Sequence, residues 1–285
     1  MPEQDAQAGG NVSKSFSAGF DSPRRLGVLV GFGLAVMPIW LAAQQQPNFQ
    51  GTWSGVFTTQ DHEFWNVEDF TCFAGCPPEA YEFLTKLIDD PANAEKPLEE
   101  LTGQARGFMR AQLAAKLTPE GLGMQNAGTA ANDPTISCHP YGLAREATNP
   151  LPLQIRGEGD NLVIQYEEWN LSRTVYMDGR QHPKTLTPTP LGHSIGRYEG
   201  NALVIDTVGI EADIFYSFLS GGGYGNEARG TERYTIAENP RRLNLELTIE
   251  DPVMLREPYV MAKTWLFTPD LQLVEDSCED LPAQP

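Results

Sequence analysis

From residue 150 onward, apolar and polar positions alternate in short runs: LQIRG, NLVIQYEEW, SRTVYMD, HSIGRYE, ALVIDTVGI, RGTERYTIAE, RLNLELTIED and YVMAKTWLFT. IFYSFLS and LQLVEDS are two further strand candidates. A period of two places every second side chain on one face, the pattern of half-buried strands. The turns between them are short (GEGDN, EGN, ENPR), which predicts hairpins and an antiparallel meander. So many consecutive strands do not stay easily in one open twisted sheet, so closure into a barrel or a curled sheet is expected. An earlier alternating run, NFQGTWSGVFTT, predicts a first strand.

Residues 77–118 have a different period. PPEAYEFLTKLIDDP and PLEELTGQARGFMRAQLAAKL space their apolar positions as helices do, with Pro77 and Pro78 opening the first and Pro91 closing it. The stretch 122–137, rich in Gly, Ala, Asn and Thr, predicts a loop. The expected organisation is a leader over 1–43, the first barrel strand and a loop over 44–76, a helical insertion and loop over 77–137, and a β-barrel core over 138–285. The fold class is mainly β, a calycin-like barrel with a small helical insertion.

The leader changes the picture of where the protein works. Arg24 and Arg25 precede an apolar run over 26–43 that ends in small residues, as in a secretory signal. The expected location is therefore periplasmic or secreted, or membrane-anchored if the run is not cut. Without the anchor no stable membrane partner is expected. Four cysteines suit an oxidising compartment. Cys72 with Cys76 and Cys138 with Cys278 are the expected pairs, one of three possible connectivities. The net charge of −18 argues against a nucleic-acid partner, which would need a basic footprint.

Chemistry concentrates between Arg173 and Thr207. Two of the four histidines, His182 and His193, sit there beside Asp178, Arg180, Arg197 and Glu199. Asp178 precedes His182 by four residues across a turn, which makes His182 a candidate general base oriented by Asp178, with His193 or a tyrosine as its acid partner. The competing structural reading has Asp178 capping the turn, Gly179 taking positive φ and Arg180 pairing with a carboxylate. GHSIG over 192–196 fits the string of a serine nucleophile elbow, but IGRYEGNALVI from Ile195 onward predicts a hairpin and not the required helix. No two histidines stand at a metal-diagnostic spacing, and no metal or other cofactor is expected. Glu232 and Arg233 are adjacent in a strand, so one faces inward, and an inward acid would have a raised pKa. Arg180, Arg197, Tyr166, Trp169, Tyr176 and Tyr234 are the candidate substrate contacts around a barrel cavity.

The blocks CHPYGLAR, YMDGRQHP, GHSIGRYEGNALVIDT, ARGTERYT, EDPVMLREPYV and SCED resemble, in order, a group of exported bacterial proteins with DGRxHP and GRWEGxxLVV motifs. Tyr198 stands here where that group usually has Trp, and GGYGNE replaces a stretch that often carries a histidine. Gly51-x-Trp53 resembles the first strand of calycin barrels. These resemblances imply export and a shared barrel fold, with no reaction attached. The function expected is a cofactor-independent acid–base enzyme, of lyase or isomerase type, acting on a hydrophobic, aromatic small molecule in the barrel. The alternative is a non-catalytic carrier of the calycin type.

Overall fold

A computed structural model describes residues 46–55, 77–128, 133–149, 151–212 and 222–274. Nine strands form one closed barrel in sequence order: β1 Gly51–Ser54, β2 Leu153–Glu158, β3 Asn161–Tyr166, β4 Ser172–Tyr176, β5 His193–Glu199, β6 Ala202–Val208, β7 Arg229–Ala237, β8 Arg242–Glu250 and β9 Tyr259–Phe267. The barrel expectation is met, and β1 closes it by pairing with both β2 and β9. IFYSFLS and the leader lie outside the described residues. Leu271–Val274, the described part of the last strand candidate, is not a strand.

One junction departs from the antiparallel meander. β4 and β5 run parallel, joined only at Val175↔Ser194 and Tyr176↔Ile195. Parity explains it: around a closed ring of nine sequential strands, directions cannot alternate throughout, so at least one pair must be parallel. A parallel pair also needs a connection of about a dozen residues or more. The loop over 177–192 supplies it.

The alternation read from sequence sets the inner wall. β8 buries Leu243, Leu245, Leu247 and Ile249, while β9 buries Tyr259, Met261, Lys263 and Trp265. With Trp53, Ile164, Tyr166 and Tyr234 they fill the interior. Tyr166 and Tyr234, expected to touch a ligand, are core residues at 2% and 0% exposure.

Four α-helices accompany the barrel among the described residues: α1 Pro78–Asp89, α2 Leu98–Lys116, α3 Pro119–Ala127 and α4 Leu143–Thr148. α2 buries Leu101, Ala105, Met109 and Leu113, every fourth residue, as one helical face requires. Phe108 of α2 stacks on Phe83 of α1 at 4.3 Å. α3 corrects the loop expected over 122–137. Its N-cap is Thr118, which accepts from the Gly121 amide and donates to the Val253 carbonyl. α4 is a second helix the strand pattern did not announce, and all six of its residues are buried. Cys138 is disulfide-bonded, but Cys72, Cys76 and Cys278 lie outside the described residues, and so do the expected pairings. No described helix is long and apolar enough to cross a membrane.

Candidate functional site

The 177–192 loop leaves β4 after Tyr176 and returns at His193, beside the point it left. The parallel junction thus sets His193 against Tyr176, ring on ring at 5.1 Å and 23°. Gly192 makes the return possible. It has φ +64°, and a Cβ there would lie 2.7 Å from the Val208 carbonyl oxygen.

Within the loop, His182 meets His193, Nδ1 to Nδ1, at 2.8 Å. The other nitrogen of His182, Nε2, lies 3.2 Å from Asp206 Oδ2. Asp206 is on β6 and is gripped from the far side by Arg229 of β7. The Arg229 Nε donates to Oδ1 at 2.6 Å and Nη2 to Oδ2 at 2.5 Å. Burial pushes the Asp206 carboxyl up, but the Arg229 guanidinium and then His182 outweigh it and hold the pKa below the usual carboxylate range.

An ionised carboxylate only accepts, so His182 Nε2 carries the proton facing Asp206. A neutral His182 then has its lone pair on Nδ1 and accepts from His193 Nδ1–H. That leaves the lone pair of His193 on Nε2. Burial lowers the His193 pKa, and the nearby His182 and Arg180 lower it further, so the neutral ring is favoured. The sequence Arg229, Asp206, His182, His193 is a continuous hydrogen-bonded line that ends in a basic nitrogen.

His193 lines a cleft of about 440 Å³ with Tyr176, Leu171–Thr174, Leu186, Thr187, Thr189–Gly192 and Gly209. The cleft lies at the β4–β5 seam, and not in the packed centre of the barrel. Arg173 reaches inward from the same strand. Its Nη1 and Nη2 donate to Glu232 at 2.7 and 2.5 Å, and Nη1 also reaches Ser194 Oγ and Thr207 Oγ1 at 3.2 and 3.3 Å. The Tyr234 hydroxyl donates to Glu232 at 2.8 Å. Glu232 is therefore the inward member of its pair with Arg233, but it is the partner of Arg173.

The expected residues separate clearly. His182 and His193 come together, but Asp178 does not orient His182. It accepts from Arg180 Nε and Nη2 and from the Arg180 backbone amide, while Gly179 takes φ +77°. That is the structural reading of the DGR turn. Asp206 holds the place given to Asp178, and its partner Arg229 was not singled out. The available signal was a carboxylate in the apolar run ALVIDTV. Arg180 sits over the Tyr176 ring at 3.9 Å. Arg197 pairs with Glu199 at the exposed end of β5, away from the cleft lining. Trp169, at φ +58° in a short turn, packs edge-on to Tyr141 and does not line the cleft either.

Ser194 is buried within β5 and bonded to Thr207 and Arg173, so GHSIG forms no elbow. His139 faces Glu211 at 3.6 Å on the surface, and His62 lies outside the described residues. Among the described residues no group of three or more His, Cys, Asp or Glu side chains is placed to hold a metal ion. No family model matches the chain, and comparisons with curated proteins and with solved structures find no match.

Proposed function

We propose that this is an exported, cofactor-independent acid–base enzyme, of isomerase or lyase type, whose small hydrophobic aromatic substrate occupies the cleft at the β4–β5 seam. The observation that carries this reading is the 2.8 Å contact between His182 and His193, backed by Asp206 and ending at the cleft. His193 Nε2 takes a proton from a substrate C–H. The imidazolium so formed passes its Nδ1 proton to His182 Nδ1, and His182 then carries both N–H groups beside the Asp206 carboxylate. Charge created at the cleft is thereby moved next to a fixed counter-charge, which lowers the cost of forming it. Return of the proton to a neighbouring substrate atom completes an isomerisation, whereas departure of a leaving group completes an elimination. Asp206 and Arg229 are positioning residues, since neither lines the cleft.

Proton abstraction has a signature that does not require knowing the product. Small aromatic ketones incubated with the protein in D2O should gain deuterium next to the carbonyl. His193→Gln should slow that exchange by about 10²–10⁴-fold, the usual contribution of a positioned base, with little change in ligand binding. Exchange that persists in His193→Gln refutes the mechanism. Binding with no exchange in the wild-type protein favours the carrier reading.

A further inference from the structure

β4 has a free edge. It pairs with β3 from Ser172 to Val175, but with β5 only at Val175 and Tyr176. The Tyr166 amide donates to the Leu171 carbonyl at 2.8 Å. Along the antiparallel ladder every second residue turns its backbone groups to the same neighbour, so Arg173 and Val175 also face β3. The N–H and C=O of Ser172 and the N–H of Thr174 then face the other way, into the cleft, where the register gives them no strand partner among the described residues, whereas the Thr174 carbonyl is taken up by the parallel bridge at Ser194. The opposite wall does not fill that need, because the Thr189 amide and carbonyl are engaged with Gly209 and Glu211.

Among the described residues the cleft lining offers no uncommitted charge. Its one ionic lining residue, Arg173, is held by the buried Glu232. The remainder of the lining is Leu, Ser, Thr, Tyr, Pro, Gly and His. An ionic ligand would leave water with no partner of opposite charge, and an anion would also meet a protein of net charge −18. The unpaired edge spans Ser172 to Thr174, about 7 Å at the usual rise per residue, too short for an added strand but long enough for one planar polar group.

From this we infer the substrate class of the site described above: an uncharged small molecule whose adjacent hydrogen-bond donor and acceptor, as in a carboxamide, dock on the β4 edge at Ser172 and Thr174, with its apolar body against Tyr176 and Leu186. The inference rests on the cleft being the substrate site, and it adds what the cleft recognises. Backbone groups fixed by the β3–β4 ladder orient the ligand, so that a C–H beside its carbonyl falls to His193.

Phenylacetamide, phenylacetate and phenethylamine share a ring and spacer and differ in charge. Titrations into the full chain, monitored by calorimetry and by backbone amide NMR, should show phenylacetamide binding at least about tenfold tighter than either ion. The largest shifts should fall on the Ser172 and Thr174 amides. Thr174→Pro removes the outward N–H at an edge position where proline spares the β3–β4 bonds, and it should abolish that preference. If the variant does not fold, the amide shifts of the wild-type protein decide the matter. Equal or tighter binding of an ion, shifts centred elsewhere, or no binding of phenylacetamide at millimolar concentration overturns the inference. Amide binding without deuterium exchange sinks the catalytic proposal alone, and exchange of a charged substrate sinks this one alone.

Discussion

Replacing Arg173 with methionine tests how the seam beside the cleft is held. Arg173 and Glu232 are 3% and 0% exposed, and their paired contacts form inside the barrel wall. Burial works against the guanidinium charge, but the Glu232 carboxylate holds the Arg173 pKa well above the usual arginine range. Ser194 and Thr207 lose a donor in Arg173→Met, yet they remain bonded to each other at 2.9 Å. The cost therefore falls on Glu232, left buried with the Tyr234 hydroxyl as its neutral donor. Removing one partner of a buried pair costs about 3–5 kcal/mol. With a urea slope near the top of the range of about 1–3 kcal/mol per M, the unfolding midpoint should fall by more than about 1 M. Arg173→Met combined with Glu232→Leu removes both charges and should recover most of that loss. The remainder, about 1–2 kcal/mol, belongs to the Tyr234 hydroxyl left without its acceptor. A single variant that loses under about 1 kcal/mol, or a double variant as unstable as the single, would refute the assignment of the cost to an uncompensated carboxylate.

Three further outcomes concern groups near the site. Burial, and then the nearby Glu168, push the Glu146 carboxyl well above the usual range, against weaker opposite pulls from Asn149, Arg145 and Arg173. The folded state thus keeps this proton to higher pH than the unfolded chain, and the stability it contributes is present below about pH 4.3 and lost as pH rises through the folded value. Glu146→Gln should therefore gain stability relative to wild type between pH 4 and pH 8, read from urea midpoints at both, and a constant difference would contradict the raised pKa. Gly192→Ala should lose about 1–3 kcal/mol from a left-handed backbone and a blocked Cβ, with the His182–His193 contact disturbed in NMR spectra; an unchanged midpoint would contradict the tight return. Because the His193 pKa is lowered, exchange catalysed by the free enzyme should stay level through neutral pH and decline only below pH 6.5, the ordinary histidine value; a decline already centred above that value would exclude His193 as the base.

Strand period and turn chemistry were enough to find β2 through β9 and to expect closure, because alternation survives in strands such as β8 with one buried face, and β6 stands out as a short apolar run between turns. The helical insertion was legible for the same reason, from the every-fourth-residue stripe of α2. α4 was not legible. A six-residue helix buried on all sides has no polar face to give a period, and its Arg145 and Glu146 break any apolar run. Long-range partners were also out of reach. Asp178 is near His182 in sequence, but an Asp two residues before an arginine finds a local partner first, and Arg180 takes it.

The residue that sequence proximity could not supply comes from barrel closure. Nine strands in order force one parallel junction, and a parallel junction forces a long excursion between β4 and β5. Because β5 pairs only with the last two residues of β4, that excursion comes back beside its own start, where His182 meets His193 and the earlier residues of β4 have no partner on that side among the described residues. The β5–β6 register, Ile195 opposite Asp206 and His193 opposite Val208, then sets a carboxylate within reach of the returning loop. Asp206 was hidden because ALVIDTV is buried on both faces of the wall, with Ala202, Val204 and Asp206 on one and Leu203, Ile205 and Thr207 on the other. In such a strand no alternation marks the polar residue as outward-facing, and only the loop that covers it explains its burial. The odd strand count thus accounts for the parallel junction, and the short β4–β5 overlap there accounts for the place of the histidine pair and of the open edge.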